Sequence, residues 1–330
     1  MRITSGMMKN NYLNGMATNL NNMQTLNKQL TSGKEISRPS DNPYKVARSM
    51  QLNTDINTNK QYNENIKDTI NWLNTTDTAL GQVTNVIQRV RELMVSSGNA
   101  SYGSNEQKAI SDEINQRIEE VAQILNSNFD GKYVFGGTKT SSKPLGSDTD
   151  GITGNTYLYF VDKSGNKLDL EDTSTYTKNQ LEMLGTKMNV EISQGVEMEY
   201  NVTAKEVLIC KDDNGKQVNL MNLLSDITSN LKSSNSSDRV KVIGENLADI
   251  DSVVSNLLKL RAEVGAKQNR MDSAQTKNED ENYNMTDILS KTEDIDFTEK
   301  TIEFTVAQTV YQASLQICAQ VLPKSLLDYL

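Results

Sequence analysis

The sequence predicts a mainly α protein, a long antiparallel coiled-coil or helical-bundle rod built from both chain termini, with an inserted antiparallel β domain. Three observations predict it. Ile66, Ile70, Leu73, Leu80, Val83, Ile87, Val90 and Met94 lie 4, 3, 7, 3, 4, 3 and 4 residues apart, a heptad seam long enough to make a coiled coil the expected outcome. Proline, which breaks helix interiors, occurs only at Pro39, Pro43, Pro144 and Pro323. Between residues 140 and 220 the apolar period shortens from that of a helix to that of a strand.

The first helix is expected within residues 10–36, where Leu13, Met16, Leu20, Met23, Leu26 and Leu30 form one stripe at three- and four-residue steps. Gly33, then Pro39 and Pro43, end it. Ser40 or Asp41 is expected to cap the next helix, with Pro43 in its first turn. That helix carries the seam; if it spans residues 46–94 it is ~70 Å long. Asp77 stands where an apolar seam residue is due, which suits a device that fixes register. Trp72, beside Leu73, reads as a packed flank residue. After Gly98 and Gly103 a third helix follows, with Ile110, Ile114, Ile118, Val121 and Leu125 on one face.

Asp130-Gly131 signals a turn, and a β-hairpin is expected near 132–138. Residues 156–162 and 167–170 read as strands around a turn at 163–166, and 189–192 and 196–202 alternate as strands do. Asn214-Gly215 suggests a two-residue hairpin between 207–210 and 217–220. Helical stripes then return: Val240, Ile243, Leu247, Ile250, Val254, Leu257, Leu258 and Val264, and a looser one of Ile288, Ile295, Ile302, Val306, Val310, Ala313 and Ile317. Three parts follow: residues 1–43 with 285–330 as a terminal helical domain, 44–139 with 221–284 as a helical rod, and 140–220 as an outer β domain.

Composition removes whole classes of function. There is no histidine, so no HExxH protease, Ser-His-Asp triad or Cys-His pair can exist. No motif supplies a catalytic pocket, a cofactor site or a metal site. A formal charge of −9 argues against nucleic acid and anionic membranes as partners. Cys210 and Cys318 form no zinc or disulfide pattern and read as two buried free thiols. No apolar run is long enough to span a bilayer, and residues 1–22 lack the apolar core of a cleaved secretory signal.

An amphipathic helix paired with one partner covers its stripe only in part, and isolated helices are marginal in water. The two chain ends are therefore expected to be loose in a monomer and to order when copies pack. Leu315 and the apolar ending Leu326, Leu327 and Leu330 strengthen that expectation.

The residues at both ends resemble the flagellin superfamily. Arg2-Ile3-Thr4 and LTSGKEISRPSDNP at 30–43 are similar to its N-terminal segment, RAEVGAKQNRMD at 261–272 to its Arg-Ala-x-x-Gly-Ala-x-x-Asn-Arg segment, and EDIDFTE at 293–299 to the opening of its last helix. Within the superfamily, KYVFGGTKT at 132–140, Arg38-Pro39-Ser40 and the ending YQASLQ…LLDYL resemble the hook-associated protein 3 family, with a short flagellin as the alternative. A non-flagellar coiled-coil scaffold is more remote, because it explains the heptads alone. The resemblance implies Gly33, Pro39, Ser40, Asp41 and Pro43 as a hinge segment and Arg261, Gly265, Asn269 and Arg270 as a second family segment. It implies an extracellular subunit that leaves through the flagellar export channel without a cleaved signal. Its partners would be further copies of itself in a ring-like layer, hook-associated protein 1, flagellin and an export chaperone, its terminal helices forming inner tubes.

Overall fold

Among the described residues, helices come first and last in chain order and the strands lie between them. The computed structural model describes residues 5–99, 103–169, 174–212, 215–233 and 235–321. In order these are α1 (Ser5–Ser32), α2 (Pro43–Ser97), α3 (Ser104–Leu125), β1 (Asn128–Phe129), β2 (Lys132–Tyr133), β3 (Leu145–Thr149), β4 (Thr156–Val161), β5 (Lys167–Leu168), α4 (Thr175–Gly185), β6 (Asn189–Ser193), β7 (Val196–Glu199), α5 (Ala204–Leu208), β8 (Ile209–Lys211), β9 (Gln217–Asn219), α6 (Leu220–Lys232), α7 (Ser236–Ile243), α8 (Glu245–Glu293) and α9 (Phe297–Val321). The mainly α fold with an antiparallel β insert is as the sequence predicts. Among the described residues no helix is long and apolar enough to cross a membrane.

Two compact units result, residues 1–60 with 279–330 and residues 61–278. The second holds nearly all of the apolar core. Ile66, Leu73, Leu80, Val83, Ile87, Val90 and Met94 of the seam are fully buried, and Ile70 packs against them half-buried. Opposite them on α8 stand Ile250, Val253, Leu257, Leu260, Val264 and Met271. This inner stripe differs from the expected one: Val240 and Leu258 are exposed, while Val253 and Leu260 are buried. The expected set allowed two turns of the helix to share one face; α7 ends at Gly244, so Val240 belongs to a different helix from the seam. Within the unit Arg91 bonds Asp251, Arg261 bonds Asp77, and Gln268 bonds Asn74, so α2 and α8 run antiparallel. Ile114, Ile118, Val121 and Leu125 bury one face of α3, as expected. Trp72 is more than a flank: it is buried edge-to-face against Phe129 and Tyr200.

The strands form small antiparallel sheets, β1-β2, β3-β4-β5, β6-β7 and β8-β9. They share one core with the helices, since Leu145, Leu158, Phe160 and Leu168 cluster with Ile114, Leu224 and Ile227. Three expectations shift. The first hairpin is 128–133, not 132–138: Asp130 (φ 49°) and Gly131 (φ 75°) supply the left-handed pair a tight hairpin turn needs. Val134 and Phe135 are buried instead in the core, and Gly137 follows at φ 61°, where a Cβ would lie 2.4 Å from the Met183 carbonyl. Second, Val207 and Leu208 end the short helix α5, so the last hairpin pairs only Ile209–Lys211 with Gln217–Asn219 around a longer loop. Third, α4 interrupts the strands; Ser174 caps it by accepting from the Thr177 amide at 3.2 Å. Cys210 is buried, and burial raises its thiol pKa; Cys318 is half-buried rather than buried.

Candidate assembly surface

In the first unit α1 and α9 lie against each other. Tyr12 donates to the Ser314 carbonyl, and the Asn19 amide donates to the Ala307 carbonyl at 3.2 Å, so the pairing is antiparallel. Met16, Met23, Leu26 and Leu30 turn half-buried faces inward, as do Phe304 and Ala307. Not one apolar residue of either helix is fully buried among those described. Leu13 and Leu20 are exposed, and Ile302, Val306, Val310, Leu315 and Ile317 remain between 46% and 61% exposed. Ala313 is exposed as well. The predicted stripe of α9 thus faces away from α1. A two-helix pair can cover one stripe per helix, and here apolar residues continue beyond it.

The breaks at the two ends of this unit are sewn together. The Glu35 amide donates to the Glu293 carbonyl at 2.6 Å, and the Ile295 amide to the Gly33 carbonyl at 3.2 Å, making an antiparallel bridge of Lys34 with Asp294. Gly33 closes α1 at φ 72°, donating to the Gln29 carbonyl at 2.8 Å, the left-handed cap that favours glycine. The Glu293 carboxylate receives Lys34 Nζ at 2.5 Å and the Ser49 hydroxyl. Lys45 reaches Glu35 at 2.6 Å. Asp41 closes the preceding turn, accepting from the Arg38 amide at 3.0 Å. The cap of α2 is Asn42, which accepts from the Lys45 amide at 3.1 Å, rather than Ser40 or Asp41; Pro43 is the first helical residue. Pro43 requires no amide partner, so the cap falls on the residue directly before it. Pro39 and Ser40 are exposed. Asp296 caps α9, accepting from Thr298 at 2.8 Å and Glu299 at 3.2 Å.

The second family segment divides by environment. Arg261 is engaged inside the chain by Asp77, at 3.0 and 3.4 Å. Gly265 meets nothing where a Cβ would stand, and Asn269 and Arg270 are exposed. Arg2, Ile3, Thr4, Leu326, Leu327 and Leu330 lie outside the described residues.

Sequence reasoning missed Glu293 as the node of the joint and Asn42 as the cap. Asn42 carried a signal, Asn-Pro at a helix start; Glu293 stands in the acidic run Glu293-Asp294-Ile295-Asp296, where nothing in the sequence singles it out. Sequence reasoning also missed Met7 and Met8, exposed on α1, which lie outside the Leu13–Leu30 stripe.

The family model described as the bacterial flagellin N-terminal helical region matches residues 3–140, and that of the C-terminal helical region matches 247–330. Together they take in the joint, α1, α9 and the whole of the seam with its facing residues on α8. A flagellin of Bacillus subtilis is 25% identical over 97% of this chain and 96% of its own length. The flagellar hook-associated protein 3 of Salmonella typhimurium is 21% identical over 95% of each. Among solved structures, a putative flagellar hook-associated protein from Vibrio parahaemolyticus superposes with a TM-score of 0.59 at 20% identity, covering 77% of this chain and 100% of that one. Hook-associated protein 3 from Legionella pneumophila gives 0.57 at 14% identity, covering 73% and 98%. These two likenesses concern the fold.

Proposed function

This chain belongs to the flagellin superfamily, and on that premise we propose that it is a structural subunit of the bacterial flagellum, forming the junction layer between hook and filament. The observation that carries the assembly part is the α1–α9 pair, which covers one stripe of each helix and leaves Ile302, Val306, Val310, Leu315 and Ile317 for neighbours. Such a surface suits a polymer subunit whose terminal helices gain order on packing, and no catalytic role is needed to explain it. The remaining assembly residues are Leu13, Met16, Leu20, Met23, Leu26, Leu30 and Ala313, with Leu326, Leu327 and Leu330 at the end of the chain.

The partners proposed are further copies in a ring-like layer, hook-associated protein 1 beneath, flagellin above and an export chaperone beforehand. Export through the flagellar channel, without a cleaved signal, accompanies this reading. The exposed side chains Asn269 and Arg270 are proposed contacts to a neighbour. The junction assignment is supported by the likeness to hook-associated protein 3 along nearly the whole chain. A short flagellin is the second reading, favoured by the full-length match to the Bacillus subtilis protein. Immunogold labelling of isolated flagella decides between them. A narrow band at the distal end of the hook is expected; label along the whole shaft would make the chain a filament subunit.

A further inference from the structure

Methionine is spread unevenly over the terminal helices. Four of the 13 methionines, Met7, Met8, Met16 and Met23, lie in α1, and its partner α9 has none. Their surroundings grade from core to solvent. Met94 and Met271 are fully buried in the second unit. Met16 and Met23 are half-buried in the α1–α9 pair, whereas Met7, Met8 and Met50 are 57%, 53% and 65% exposed. A thioether is an apolar group that a mild oxidant makes polar and chiral, and the change is reversible.

Met7 and Met8 stand where such a change has a consequence. Residues 5–11 carry no other apolar side chain. The pairing register, Tyr12 with Ser314 and Asn19 with Ala307, sets Met8 level with Cys318. Leu315 and Ile317 of α9, 46% and 50% exposed, therefore lie within one turn of that level. With the two methionines they make one end of the helix pair apolar and continue the surface that the pair leaves uncovered. The unbranched, polarisable methionine side chain suits a surface that adapts to a neighbour.

We infer that Met7 and Met8 are a modification site, at which hydrogen peroxide switches off the packing of free copies. The thioether sulfur attacks one peroxide oxygen, so that an S–O bond forms and the O–O bond breaks. The departing hydroxide takes the proton left on the transferred oxygen and leaves as water. Sulfur loses two electrons and the peroxide gains them. A neighbour would then have to bury two S=O dipoles that lack donors. In packed copies the same sulfurs are covered, so the switch acts on free subunits. It rests on the reading that copies assemble through their terminal helices, though not on where in the flagellum they do so.

The full chain tests it, in a Cys318→Ala background so that the half-buried thiol takes up no oxygen. Peroxide treatment, stopped with catalase, should add oxygen to Met7, Met8 and Met50 well before Met94 and Met271, as read by peptide mass spectrometry. Unmodified Met94 and Met271 show that the core stays closed. In sedimentation velocity, self-association should then need about tenfold more protein than before treatment. Methionine sulfoxide reductases for both epimers, with dithiothreitol, should restore it. Met7→Leu/Met8→Leu should associate equally well before and after treatment, whereas Met50→Leu should lose association as the parent chain does. Full oxidation of Met7 and Met8 with an unmoved association curve overturns the proposal. So does an equal loss in the double variant, or oxidation of both sulfurs as slow as that of Met94. A parent chain that stays monomeric at every concentration overturns the assembly reading together with this one, so the two failures are told apart.

Discussion

Arg261 on α8 grips Asp77 on α2 with two parallel hydrogen bonds, Nε to Oδ1 at 3.0 Å and Nη2 to Oδ2 at 3.4 Å. The pair puts a charge–charge contact at the one position where the heptad seam lacks an apolar residue. Both side chains are 38% exposed, so solvent screens the attraction. A double-mutant cycle of Asp77→Ala and Arg261→Ala in urea should give a coupling of about 0.5–1 kcal/mol. Its main effect is alignment: Arg261→Lys, which loses the fork geometry, should give up most of that coupling. A coupling indistinguishable from zero would mean that the pair does not hold the register of the two helices.

Leu315→Asp should leave the isolated protein folded, with stability changed by no more than about 0.5 kcal/mol, because the side chain is exposed in the single chain. Assembly should fail, since a neighbour would have to bury an unpaired carboxylate. Circular dichroism and urea midpoints check the first part; motility and attached filaments in a complemented null strain check the second. Swimming cells with normal filaments would remove this face of α9 from the assembly surface.

Gly33→Ala should cost about 1–2 kcal/mol, because φ 72° is left-handed backbone that an L side chain adopts with strain. Space is not the difficulty, since an added Cβ would meet the Phe297 ring at an ordinary 3.6 Å. Limited proteolysis should show earlier cutting within residues 33–41 than in the native chain. Unchanged cutting would show that the joint does not depend on this backbone conformation.

Lys139 is almost wholly buried, its ammonium donating to the Val161 carbonyl and, at 3.5 Å, to that of Lys143. Burial lowers its pKa, with Asp162 opposing and Lys163 assisting the fall. The sign follows from proton counting. Between the lowered folded pKa and the ordinary lysine value the unfolded chain holds one more proton, so this residue makes stability rise with pH in that window. The native-minus-Lys139→Met difference in unfolding free energy should therefore rise on the alkaline side. Lys139→Ala at neutral pH should cost about 2–4 kcal/mol, through a cavity and a carbonyl without its donor. A flat difference curve would mean that the ammonium is solvated.

What could be read in the sequence was whatever repeats. The α2 seam and the inner face of α3 needed only apolar spacing, and every residue named there is buried or half-buried. The α8 stripe was legible in part, because Leu258 is as apolar as Leu257 and only the facing helix decides which of them is covered. Short elements were harder. The α4 helix spans only Thr175–Gly185 amid strands, and its composition competes with both. The Val207–Cys210 run looks like a strand, yet the Thr203–Glu206 capping box turns its first half into a helix. Of the candidate site, the terminal stripes were visible as periodicity. The joint was not, because it brings Gly33 and Lys34 against residues near 294, a long-range pairing that no local pattern encodes.

That joint also settles where tension goes. A pull on α1 need not travel through the whole intervening chain to reach α9; it has a shortcut across two peptide hydrogen bonds and the Lys34–Glu293 ion pair. In a machine that transmits torque, such a clasp makes the two extremities yield together rather than one after the other.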